Sequence, residues 1–180
     1  RGVAVGNGMN PRYGEIDPYA MAASSIDEAL RNVIAVGGNP DRTAILDNFC
    51  WGDPNDPESL GALVRASRAC HDVAVHYGVP FISGKDSLYN VYQEGEKKIS
   101  IPHSLLISAI SIVDDTRTCV TMNAKLEGEL VYIVGITKRE MGGSHLFALY
   151  DETGYSVPVV DTSLGKRVFA SMHQAIKAGL

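Results

Sequence analysis

The stretch Val79-Pro80-Phe81-Ile82-Ser83-Gly84-Lys85-Asp86-Ser87 decides how this chain is read. Val79 to Ile82 form a short strand that runs straight into a polar cluster built on a glycine. Before it lies the helical run Pro57 to Tyr77, with Asp56 as its cap and Gly78 as its stop. Helix, strand and polar terminus in that order are the unit of an α/β chain. In the cluster, Gly84 permits close backbone approach to a phosphate, and Lys85 carries a point charge for it. Asp86 can hold Mg²⁺, and Ser87 can donate to a phosphate oxygen. The GxxxxGK[ST] spacing of a P-loop is missing. The cluster therefore reads either as a phosphate and metal site or as a polar turn after a strand.

Upstream, Gly2 to Val5 reads as a short strand and Gly6 to Gly14 as a loop. Asp17-Pro18 opens a helix whose core face carries Ala22, Ile26, Ala29, Leu30 and Val33, and Gly37-Gly38-Asn39-Pro40 ends it. On that helix Glu28 and Asn32, four residues apart, share a face bordering the apolar stripe. The pair suits either Mg²⁺ or a helix-surface hydrogen bond, while Asp27 and Arg31 point toward solvent. The strand Thr43 to Phe49 delivers Asp47 and Asn48 at its end, ahead of Cys50-Trp51-Gly52. Those residues either line a ligand cleft or form a turn. The helix 57–77 takes Leu60, Leu63, Val64, Ser67, Cys70, His71 and Ala74 as its core face.

Downstream, Tyr89 to Ile99 is a surface hairpin or flexible loop, and Ile101 to Val113 is a buried strand. The pattern changes near residues 114–120, where a domain boundary is expected. Beyond it, Leu130 to Gly135 reads as a strand and Ser163 to Ala178 as an amphipathic helix with Leu164, Val168, Met172, Ala175 and Ile176 inward. The amides of Gly142-Gly143-Ser144 form either an anion nest or a tight turn. The fold class is α/β (α+β): strands near 43–49, 79–83 and 104–113 in one mixed sheet, with helices on one face.

The 180 residues are 45% hydrophobic and 21% charged, which excludes a disordered or fibrous chain. A net charge of −5 disfavours a nucleic-acid surface. The three cysteines, Cys50, Cys70 and Cys119, are widely spaced without a CxxC, so no disulfide framework or zinc site is expected. The apolar run Leu105 to Val113 is too short to span a bilayer. The first residue is not Met and the last lies inside a helical pattern, so a piece of a longer polypeptide is expected. His76, His103 and His173 show no metal-ligand spacing, and His71 reads as a core histidine.

Taken in order, Ile16-Asp17-Pro18-Tyr19, Asp27 to Asn32, Val36 to Pro40, Leu46 to Gly52 and Ile82 to Asn90 resemble the phosphoribosylformylglycinamidine synthase family. More narrowly, they are similar to the second half of its synthetase subunit, within the aminoimidazole ribonucleotide synthetase-like superfamily. The resemblance implies a second N-domain over 1–115, carrying the nucleotide and metal site, and the opening of an α+β C-domain over 118–180. It implies a cytoplasmic, ATP-dependent carbon–nitrogen ligase of purine biosynthesis, converting formylglycinamide ribonucleotide to formylglycinamidine ribonucleotide with glutamine-derived ammonia. Asp47, Gly84 and Lys85 match nucleotide contacts, and Ser87 matches a substrate contact. The metal position falls on Lys85 or Asp86, and Asp86 is preferred because a protonated Lys cannot ligate Mg²⁺. Glu28 and Asn32 match metal ligands of an auxiliary nucleotide site. No catalytic residue is assigned, since the family's catalytic His belongs to the first half. The implied partners are that first half, a glutaminase subunit and a small bridging subunit, with self-association of this chain and no activity by itself. The alternatives are a selenophosphate or thiamine-phosphate kinase type of enzyme, or a non-catalytic nucleotide-binding module.

Overall fold

A computed structural model describes residues 1–180. In chain order the elements begin with β1 (Gly2–Met9), α1 (Pro11–Gly14), α2 (Pro18–Ala35), β2 (Thr43–Cys50) and α3 (Pro57–Tyr77). They continue with β3 (Phe81–Ser87), β4 (Val91–Glu94), β5 (Lys97–Ser100), β6 (Ser104–Val113), α4 (His145–Ala148) and α5 (Thr162–Ala178). Four strands form a mixed sheet in the order β1-β6-β2-β3. β6 pairs antiparallel with β1 and β2, and β2 pairs parallel with β3. β4 and β5 make a separate antiparallel hairpin, one of the two alternatives for residues 89–99.

The helix limits follow from their caps. Asp17 accepts from the backbone of Tyr19 and Ala20, and Pro18 occupies the first turn of α2. Asp56 accepts from Ser59 N, and Gly78 closes α3 in the left-handed conformation. The core lies between one sheet face and these helices. Leu105, Ile107, Ala109 and Val113 of β6 and Ile45 and Phe49 of β2 meet Ile26, Leu30 and Val33 of α2. The alternate residues face away, so Val3, Val5, Ile82 and Ile110 stand exposed on the other face.

Four readings are corrected. The strand expected over 2–5 continues to Met9, through the glycines taken as a loop. Those glycines let α2 press against β1: a Cβ at Gly6 would lie 2.8 Å from Asn32 Cβ, and one at Gly8 would lie 2.8 Å from Ala29 N. The buried face of α3 is Ala66, Ala69, Cys70, Val73, Ala74 and Tyr77, while Leu60, Val64 and His71 are exposed. Small residues on this face let α3 lie close against α2. Leu130 to Gly135 is not a strand: it has no partner strand, and Val131 and Ile133 stand exposed. α5 turns slightly from its expected face and buries Gly165, Phe169, His173 and Ile176 against α2 and α3, so Phe169 joins the main core.

Candidate functional site

The polar cluster of residues 83–87 lies inside β3, not in a turn after it. Strand alternation therefore sorts its side chains onto opposite faces. Asp47 pairs in register with Gly84, and Phe49 with Asp86. Ile45 and Phe49 are buried on the helix-covered face, which places Asp47, Gly84 and Asp86 there too. The Asp47 and Asp86 carboxylates meet at a cavity of about 280 Å³ lined by Phe49, Leu63, Ser67, Cys70, Phe81 and Leu88. Burial first, and the neighbouring Asp86 charge second, raise the Asp47 carboxyl above the ordinary aspartate range. No basic side chain lines this cavity. Burial, with a smaller push from Asp47, drives the Cys70 thiol up to about 12, which makes it inert. Gly84 makes the approach possible, because a Cβ there would lie 2.5 Å from Asp47 Oδ1.

Lys85 and Ser87 project from the opposite, open face, where Lys85 Nζ donates to Ser87 Oγ. Their register partners on β2 are Asn48 and Cys50. The expected convergence thus holds for Asp47, Gly84 and Asp86, while Ser87 belongs to the other side of the same strand. β3 is an edge strand, so one ligand lying along its outer edge reaches both faces. The outward N–H groups of this edge strand suit an anion there.

Glu28 and Asn32 do not join this group. Glu28 Oε2 accepts from Met9 N at 3.0 Å and Asn10 Nδ2 at 2.9 Å, and Asn32 Nδ2 donates to Asn7 O at 2.8 Å. The chain contains no cluster of three or more His, Cys, Asp or Glu placed to hold a metal. The anion nest is absent too: Gly142 N, Gly143 N and Ser144 N donate to Ser156 O, Thr153 O and Met141 O. Trp51 does not line a cleft. It is fully buried, donates from Nε1 to Ser59 O and stacks on His103 at 4.4 Å.

Two features escape the sequence reading. Phe81, Leu63 and Leu88 wall the cavity, and only their apolar character beside polar strand ends signals it. Asp27, expected in solvent, is buried, accepting from Tyr77 Oη and Arg31 Nε. Arg31 in turn lies over the Phe169 ring at 5.3 Å, so the docking of α5 covers this carboxylate. No helix is long and apolar enough to cross a membrane.

Residues 1–102 match the model of the AIR synthase related protein, N-terminal domain. Phosphoribosylformylglycinamidine synthase subunit PurL of Deinococcus radiodurans is 33% identical over 99% of the chain. The same subunit of Methanocaldococcus jannaschii is 32% identical over 99%. The chain spans about a quarter of the length of these relatives (24% and 25%). Among solved structures, T. maritima PurL complexed with AMPPCP is 28% identical with a TM-score of 0.53, covering 67% of this chain and 19% of that one. T. maritima PurL complexed with FGAR covers 99% of this chain and 28% of its own at a TM-score of 0.74; at 21% identity it speaks for the fold alone.

Proposed function

This chain belongs to the AIR synthase related family, and on that premise we propose that it forms part of a phosphoribosylformylglycinamidine synthase. The activity is ATP-dependent conversion of formylglycinamide ribonucleotide to formylglycinamidine ribonucleotide in cytoplasmic purine biosynthesis. Sequence likeness over nearly the whole chain to PurL subunits supports this reading, as do PurL structures holding AMPPCP and ADP. The observation that carries it is the meeting of Asp47, Gly84 and Asp86 on the paired strands β2 and β3.

In this reading a polyphosphate lies along the outer edge of β3. Gly84 leaves room for Asp47 beside it, Lys85 supplies a fixed positive charge on the open face, and Ser87 orients the substrate beside Lys85. Asp86, with Asp47 behind it, suits Mg²⁺: two carboxylates without a countercharge leave negative charge that a divalent cation relieves, and nucleotide phosphates complete such a shell. Held by Asp86 and Asp47, such an ion would neutralise phosphate charge; the proposed reaction phosphorylates the amide oxygen, and ammonia then displaces the phosphate. No imidazole lines this cavity, and in this reading the first synthetase half supplies the general base. Val3, Val5, Ile82 and Ile110 expose apolar surface on the open face, which suits packing by a first synthetase half. A glutaminase subunit and a small bridging subunit complete the proposed assembly. Residues 118–180 are then the opening of a second domain laid against the first.

The test is Mg²⁺–ATP binding by calorimetry, with the chain alone and with the complementary half supplied, alongside ammonia-dependent turnover. Expected are nucleotide binding that weakens in Asp47→Ala and turnover only when both halves are present. Binding untouched by Asp47→Ala together with Asp86→Ala, or turnover by this chain alone, contradicts the reading.

A further inference from the structure

Glu28 and Asn32 sit four residues apart on α2, a spacing that suits a metal. We propose instead that they guard the edge of β1 and hold no metal, a role independent of the reading above. β1 is paired on one side only, with β6. In an antiparallel ladder, alternate residues point both N–H and C=O toward the neighbour or both away from it. Asn7 O and Met9 N are bonded by Asn32 and Glu28, so the outward row of β1 is Val3, Val5, Asn7 and Met9. Such a row is a template on which another strand can add. Glu28 and Asn32 occupy its second half and leave Val3 and Val5 open. Both side chains reach the edge because Gly6 and Gly8 let α2 approach: Cβ atoms there would lie 2.8 Å from Asn32 Cβ and 2.9 Å from Glu28 Cβ.

The metal alternative fails on distance. β1 and β3 are opposite edges of the sheet, three strand steps apart. At ~4.8 Å per step that is about 14 Å, while Mg²⁺ binds its ligands at ~2.1 Å. One ion therefore cannot join Asp86 to Glu28 and Asn32. Asn32 also directs its amide nitrogen, a donor without a lone pair for a metal, at the strand.

Asn32→Asp separates the two roles, because it removes the donor to Asn7 O and adds a metal-ligating carboxylate. Mn²⁺ alone serves as the probe, followed by electron paramagnetic resonance in an Asp86→Asn background that silences the other carboxylate site. As an edge guard, Asn32→Asp melts at a lower temperature with unchanged Mn²⁺ affinity, and Glu28→Ala exchanges the Met9 amide about tenfold faster. Glu28→Gln keeps an acceptor and retains that protection. Tighter Mn²⁺ binding in Asn32→Asp, or Met9 exchange indifferent to Glu28→Ala, overturns the proposal.

Discussion

Replacing Asp86 by Asn removes one of two carboxylates that meet across β2 and β3 while keeping its shape. Two unit charges about 4 Å apart near a protein surface interact by ~4 kcal/mol. Asp86 is exposed, so solvent screening brings the value to ~1 kcal/mol or less. The sign follows from Asp47, whose carboxyl is raised by burial first and by Asp86 second. The unfolded chain loses this proton near the ordinary value of 3.8, and the folded chain loses it at higher pH. Between those points the folded state binds more protons, so stability falls as pH rises through the window and the penalty is complete above it. Asp86→Asn lifts the charge-repulsion part of that penalty. The variant is therefore expected to gain ~1 kcal/mol at pH 7, or about 2–4 °C in Tm, and almost nothing at pH 3. Thermal melts by circular dichroism at both pH values measure this. The same substitution is expected to weaken Mg²⁺–ATP binding, a stability gain at the expense of function. A variant no more stable at pH 7, or equally stabilised at both pH values, refutes the reasoning.

Three further outcomes are expected. Tyr77→Phe strips one donor from the buried Asp27 and costs about 1–3 kcal/mol in denaturant unfolding; an unchanged midpoint argues against a network that fastens α5. Gly8→Ala sets a Cβ against Ser25 O and 2.8 Å from Ala29 N, backbone atoms that yield little, so a loss of about 1–3 kcal/mol is expected from melting curves. Val5→Lys places a charge on the open sheet face and is expected to reduce self-association in light scattering at micromolar concentration; a wild-type chain that is strictly monomeric contradicts this.

Helix ends were legible because caps are local chemistry. Asp17-Pro18, Asp56-Pro57 and Gly78 mark the limits of α2 and α3 in the sequence and in the structure alike. Which face of α3 is buried was not legible. Leu60 and Val64 are more apolar than Ala66 and Ala69, yet close helix packing selects the small residues, a property of the pair of helices rather than of either one. Gly6 and Gly8 misled for a similar reason. Glycine in a strand looks like a turn until the helix that needs the space is known. Leu130 to Gly135 carries the composition of a strand, but composition provides no partner for its backbone groups. At the site, the residue types were legible and the division of faces was not. That division depends on β3 running through Ser87 instead of stopping at Ile82.

The same division explains why the candidate site lies at an edge. With Lys85 and Asp86 adjacent in sequence, a turn would let them pair and cancel; a strand holds them on opposite faces. Lys85 then spends a hydrogen bond on Ser87, and Asp86 is left facing Asp47 with no cation in reach. A central strand with this pattern would bury two charges of like sign with no way to relieve them. At the edge, solvent screens the carboxylates and leaves them open to the cation-bearing ligand proposed above. The open face imposes a second condition. Lys85 and Ser87 share it with exposed Val3, Val5, Ile82 and Ile110, apolar area that water disfavours. A partner that extends across this face from β1 to β3 removes water from the Lys85–Ser87 pair and strengthens its charge interactions. If such a partner spans the face, assembly and ligand binding are expected to be thermodynamically coupled, so nucleotide affinity measured by calorimetry rises when the complementary half is supplied.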